Sequence, residues 1–140
     1  MTAALTALVE SRVAAVAAKD VETLVAQYAE DVTLFDALGP LRDTGRDVER
    51  SRLRDWFGAY RTAIDLRIRD LEVVADGEVV ADGEVGFAHY VFQVRGTMTD
   101  GTGVDMAVRA TLGFRKNEDG WQIVHEHSSV PVTPSGSAAG

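Results

Sequence analysis

At 140 residues the chain suits one ordinary domain, a size that buries roughly two-thirds of the surface its unfolded form exposes. Its 46% hydrophobic content can build a core unaided, and the absence of cysteine excludes disulfide frameworks, thiolate metal sites and Cys nucleophiles. A net charge of −8 and a pI near 4.8 repel phosphate backbones and anionic lipid, so neither nucleic acid nor a membrane is an expected partner.

No basic region leads into an apolar run at the start of the chain, so no signal peptide is expected, and no uncharged stretch is long enough to span a bilayer. With zero cysteine this fits a cytoplasmic location. Leu5, Leu8, Val9, Val13 and Val16 recur at spacings of three and four, which predicts an amphipathic helix over 3–18. Asp20 is a good N-cap for a second helix over 21–29. Residues 32–36 read as a short strand, followed by a loop through Gly39 and Pro40 that ends at Gly45. A third helix over 46–60 carries Val48, Leu53, Trp56 and Phe57 on one side.

The period then changes to two. Ile64, Leu66 and Ile68 alternate with Asp65, Arg67 and Arg69, the pattern of a half-buried strand. Further strands fit 84–95, 104–115 and 121–130, with turns at Asp100-Gly101 and Asp119-Gly120. Helices followed by consecutive hairpin-linked strands predict an α+β domain with a mainly antiparallel sheet over 1–130. Residues 131–140 read as a flexible tail. The segment 75–79, Ala-Asp-Gly-Glu-Val, recurs at 81–85, a local duplication that lengthens one hairpin.

Several side chains suggest chemistry. Asp36 follows Leu34 and Phe35 at a strand end. Either it caps the turn before Gly39, or it is a carboxylate whose pKa is raised by apolar neighbours and which serves as a general base. In 121–131 strict alternation puts Trp121, Ile123, His125, His127 and Ser129 on one face and Glu126 on the other. The two His, with His89 from a neighbouring strand, would either chelate a metal or hydrogen-bond within a pocket wall. Without Cys or an H-E-x-x-H helix, no metal is expected. Arg109 interrupts an apolar strand, either pointing to solvent or fixing an anionic or carbonyl group. No G-x-G-x-x-G, G-x-x-x-x-G-K-[ST] or G-x-S-x-G is present.

The element order and two motifs resemble the SnoaL-like branch of the NTF2-like superfamily, which also contains ketosteroid isomerase and kinase association domains. Segment 28–39, Tyr-Ala-Glu-Asp-Val-Thr-Leu-Phe-Asp-Ala-Leu-Gly, is similar to the isomerase pattern Y-A-D-D-x-T-x-x-D-P-x-G, and the resemblance places Asp36 at the position of its proton-shuttling base. Segment 120–131 is similar to G-W-x-I-x-H-x-H-x-S-x-P, the end of many such domains. The resemblance implies a cone of three N-terminal helices packed on a strongly curved sheet, and a homodimer through the outer face of that sheet. It also implies a cofactor-independent isomerase, cyclase or hydratase acting on a small carbonyl or polyketide-like metabolite.

Arg12 stands where the isomerase has a Tyr oxyanion donor, and no Asp matches its second donor, so a steroid isomerase with that oxyanion hole is not expected. Asp36 is instead expected to meet Arg109, His89 and His127 in one cavity, with Trp56 and Phe57 on its apolar wall and His125 and Ser129 nearby. Two alternatives stand beside catalysis of this kind. One is a non-catalytic ligand-binding or assembly module. The other is hydration of a small electrophile, because His125-Glu-His-Ser-Ser129 looks like the H-H-H-S-S run of association-domain-like carbonic anhydrases, with Glu126 at the middle His.

Overall fold

The computed structural model describes residues 2–75 and 84–135. Helices α1 (Thr2–Ala17) and α2 (Val21–Val25) are followed by strands β1 (Tyr28–Phe35) and β2 (Asp43–Thr44) and helix α3 (Arg46–Gly58). Four long strands complete the chain, β3 (Asp65–Ala75), β4 (Glu84–Thr97), β5 (Gly103–Asn117) and β6 (Gly120–Ser129). They form one sheet in the order β2-β1-β6-β5-β4-β3, antiparallel except where β1 runs parallel to β6. Among the described residues no helix is long and apolar enough to cross a membrane.

The helix–strand order is as the hydrophobic periods predict, but the second helix is shorter. Asp20 caps it, its carboxylate accepting from the Thr23 amide at 3.2 Å. It ends at Val25 because the sheet claims the next backbone: the Ile123 amide donates to the Gln27 carbonyl at 2.8 Å and Tyr28 pairs with Ile123. Most of the duplicated 75–79 and 81–85 segments, and tail residues 136–140, lie outside the described residues.

Two bulges decide which side chains enter the core. In β3 the residues Asp70 and Leu71 oppose only Tyr90, and Asp70 adopts φ 55°, a left-handed conformation that Asp tolerates. Leu66 and Ile68 before this bulge, and Leu71 and Val73 after it, therefore all face inward. In β6 Val124 is the extra residue, since Gly113 pairs with His125 while Phe114 pairs with Ile123.

The inner face holds two apolar clusters. One packs Leu5 and Val9 of α1 on Val32, Leu34, Ala88, Leu112, Phe114 and Ile123. The other packs Val16, Leu24, Leu53, Phe57, Tyr60 and Ile64 together. Strand β3 and helix α1 both crowd Gly86, where a Cβ would stand 2.9 Å from the Val74 carbonyl and 3.0 Å from Leu5 Cδ1. Gly86→Ala should therefore cost roughly 1–3 kcal/mol of stability by overpacking, read by urea denaturation. An unchanged midpoint would show that both α1 and β3 can give way at this point.

Candidate functional site

Between the two clusters the interior turns polar. On α1, Arg12 lies between Val9 and Val16, and it is buried despite its charge. Its guanidinium donates to Gln27 Oε1 at 2.9 Å and to the Tyr28 hydroxyl at 2.8 Å. That hydroxyl in turn donates to Glu126 Oε2 at 2.7 Å, and Arg12 stands 3.5 Å from the other Glu126 oxygen. Burial opposes the Arg12 charge, but Tyr28, Tyr90 and Glu126 outweigh it and raise its pKa. Burial also pushes the Tyr28 hydroxyl well up and that of Tyr90 up to about 12, so both remain neutral donors.

Helix α3 supplies the other half. Arg52 bonds Asp36 directly and lies 3.6 Å from Glu49 Oε2. Glu49 sits one turn before Leu53 on the buried stripe of α3 and is only 5% exposed. Its Oε2 and Arg52 Nη1 have no hydrogen-bond partner. Three carboxyl groups (Asp36, Glu49, Glu126) thus share two guanidinium groups (Arg12, Arg52), and Glu49 is the least solvated. Burial first, then the charge of Glu126, push its carboxyl up to about 8, against the opposing pull of Arg52 and Arg12. At neutral pH this cluster retains a proton.

The predicted constellation does not assemble. Asp36 faces inward like Leu34 and binds Arg52, while its other oxygen accepts from the Ala37 amide at 2.8 Å, so it also caps the turn. Its aromatic neighbour Phe35 points the opposite way, packing edge-on against His125 and His127 with centroids 4.9 and 5.6 Å apart. His89, Arg109, His127 and Ser129 all lie on the outer face with Thr111, because Ala88, Tyr90, Ala110 and Leu112 take the inner positions. His125 is there too, its Nδ1 donating to the Thr33 carbonyl at 2.9 Å.

For His89 and Arg109 the reason is alternation within β4 and β5, and for the last strand it is the β6 bulge. By inserting Val124 it separates His125, His127 and Ser129 from Ile123 and turns Glu126 inward opposite Leu112. Glu126 stays on the face opposite the two His, as alternation predicts, but that face is now the inner one. Trp56, half-buried one turn beyond Arg52, packs with Phe57 and Tyr60 in the second apolar cluster. Of the expected contacts, Asp36 and Arg12 alone enter the polar interior. Glu49, Arg52 and Tyr28 join them unanticipated, although Arg12 and Glu49 each interrupt an apolar helical stripe, a signal present in the sequence.

The chain belongs to the SnoaL-like domain family, whose profile matches residues 5–133. Its fold is the NTF2-like cone. An NTF2-like protein of unknown function from Pseudomonas putida KT2440 superimposes with a TM-score of 0.84 at 26% identity, over 99% of this chain and 95% of that one. A ketosteroid isomerase-like protein from Erwinia carotovora atroseptica gives 0.70 at 21% identity, over 89% and 91%. The association domain of C. elegans CaMKII gives 0.68 at 20%, over 89% and 92%. No curated protein matches in sequence.

The raised Glu49 carboxyl makes stability depend on pH. The folded state holds this proton more tightly than the unfolded chain, so its stabilising contribution is complete below about 4.5 and is lost as pH rises to about 8. The free energy of unfolding between these limits should fall by up to roughly 1.4 kcal/mol per pH unit. Glu49→Gln should abolish this decline and exceed the wild type above pH 8. A variant with the same slope as the wild type would place the proton elsewhere.

Proposed function

We propose that this SnoaL-like domain binds a small carbonyl or polyketide-like metabolite inside the cone and catalyses cofactor-independent proton transfer on it, as an isomerase, cyclase or hydratase. The observation that carries this reading is the surplus carboxyl, Glu49, buried with an unpartnered oxygen beside an ion-paired carboxylate, Asp36. One guanidinium, Arg52, touches both, so acid and base stand at the two ends of a single cation.

Their environments divide the work. The Asp36 side chain is 30% exposed and can meet a substrate entering the cone. Asp36 accepts a proton from the carbon beside the carbonyl. Glu49, neutral in its buried site, donates a hydrogen bond to the carbonyl oxygen as negative charge develops there. Asp36 then returns the proton to a different carbon, and Arg52 stays charged throughout. Tyr28 and Arg12 hold Glu126 and so keep the second carboxylate charge fixed beside Glu49.

Proton abstraction is detectable without knowing the natural substrate, as deuterium incorporation next to a carbonyl in D2O. A panel of cyclic enones, β-diketones and β-keto esters, followed by proton NMR, should contain compounds whose exchange the protein accelerates. Asp36→Asn and Glu49→Gln should each lower that acceleration by about a hundred- to ten-thousandfold, with affinity largely kept. Acceleration undiminished in both variants would remove these residues from the chemistry. Saturable binding across the panel without any exchange would make the domain a binder.

A further inference from the structure

We propose that the loop 37–42 is a specificity element, whose Leu38 and Leu41 contact the apolar body of a substrate held in the cone by its carbonyl end. This rests on the reading that Asp36 and Glu49 act on a carbonyl, and it adds what lies beyond that group. The first observation is exposure. Leu38 is 80% exposed and Leu41 98%, and Arg42 is the only charged residue of the loop. Single exposed apolar side chains are ordinary on a protein surface. Two from one short loop, directly after a carboxylate that faces the polar interior, form a patch with a position.

The second observation is where the loop lies. Leu38 is two residues past Asp36, so their Cα atoms stand within about 7 Å of each other. Helix α3 begins beside Val32, where the Gly45 amide donates to the Val32 carbonyl at 2.8 Å, and it reaches Asp36 with Arg52. It therefore runs in the direction of β1, and Trp56, one turn on, stands roughly 6 Å further that way, level with the loop. Strand β6 runs parallel to β1, with His127 beside Phe35, and Ser129 pairs with Arg109 of β5. Met106, earlier in that antiparallel strand, thus lies at the same end. It pairs with buried Val94, so it points to the inner side, yet it remains exposed. Beyond the partly exposed Asp36 and Arg52 there is, in consequence, an apolar rim of Leu38, Leu41, Trp56 and Met106.

The third observation is the backbone. Gly39 adopts φ 94°, which side chains disfavour, and Pro40 fixes the next φ, so the turn between the two leucines has a set shape. Its flanks are tied down, because the Ala37 amide donates to Asp36 Oδ1 and Leu34 pairs with Asp43. From 38 to 42 no backbone–backbone hydrogen bond is made among the described residues, which leaves the loop free to adjust to a ligand. The occupant follows from size and charge. Two leucines offer far less than the roughly 800 Å² per partner of a stable interface, and a net charge of −8 repels anionic lipid. An apolar body joined to a bound carbonyl needs only this small area and arrives already aligned.

The test uses the full chain and a series of alkyl acetoacetates, methyl to hexyl, with affinities read by NMR titration. Affinity in the wild type should rise roughly two- to fourfold per added methylene. In a Leu38→Ser/Leu41→Ser variant the rise should drop below about 1.5-fold per methylene. Both leucines are exposed, so far-ultraviolet circular dichroism should report an unchanged fold. Their methyl signals, assigned through the variant, should shift with the hexyl ester and not with the methyl ester. Deuterium exchange at the head carbon reports separately on the proposed chemistry. Length-dependent binding without exchange keeps this subsite and removes the catalysis, whereas accelerated exchange with affinity indifferent to length does the reverse. Saturable binding by none of the esters, or a length dependence unchanged in the variant, would also overturn the proposal. So would a dimer by light scattering that the variant abolishes, because a second copy would then cover the leucines.

Discussion

One additional residue in the last strand organises this molecule. Between Ile123 and His125 the chain advances by two positions while its partner β5 advances by one, and the surplus is Val124. Side chains alternate across a strand, so a single insertion exchanges the faces of everything beyond it. His125 and His127 consequently lie on the outer face of the sheet, where His89 of β4 also points, while Glu126 enters the apolar cone where a carboxylate has to be matched. Arg12 and Tyr28 supply that match, and they in turn account for the charged position within the apolar stripe of α1.

A buried ionic cluster is not an inexpensive way to fill a core. Removing a charge from water costs several kcal/mol, and apolar replacement of such groups is often neutral or stabilising. Here the cost is raised by an imbalance, since three carboxyls face two guanidiniums and both Glu49 Oε2 and Arg52 Nη1 are left unpartnered. The cheapest resolution is retention of a proton by the most buried carboxyl. A neutral acid held beside a charged, partly exposed carboxylate is the arrangement that proton transfer at a carbonyl requires, which links the energetic anomaly to the proposed chemistry. The two apolar clusters on either side hold α1 and α3 at the spacing that brings Arg12, Glu49 and Arg52 together.

Most of the fold was legible because it depends on periodicity. Leu5, Val9 and Val16 mark the buried side of α1, and Leu66 and Ile68 mark that of β3, as their spacings imply. The family resemblance of 28–39 and 120–131 extended this to the cone. The site was less legible for three physical reasons. The bulge at Val124 is a property of pairing with β5, and nothing in the composition of 121–129 signals it. Helix α2 ends early because Gln27 and Tyr28 are taken by β6, so tertiary pairing overrides local helical pattern. Asp36 proved to share a guanidinium with Glu49 across α3, a contact that depends on how that helix is docked. Arg12 and Glu49, by contrast, were readable as charges on apolar stripes, and Arg109 as a cation on a strand whose opposite face is apolar.

The central claim is that Glu49 is uncharged in the folded protein near neutral pH, and a carbon-detected NMR titration of its side-chain carboxyl tests it most directly. With selectively labelled glutamate, and Glu49→Gln to assign the resonance, the account predicts a neutral carboxyl at pH 7 that ionises around 8. A Glu49 resonance that titrates near the ordinary value of 4.5 would contradict it, because the interior would then hold no neutral carboxyl to donate a hydrogen bond to a developing oxyanion.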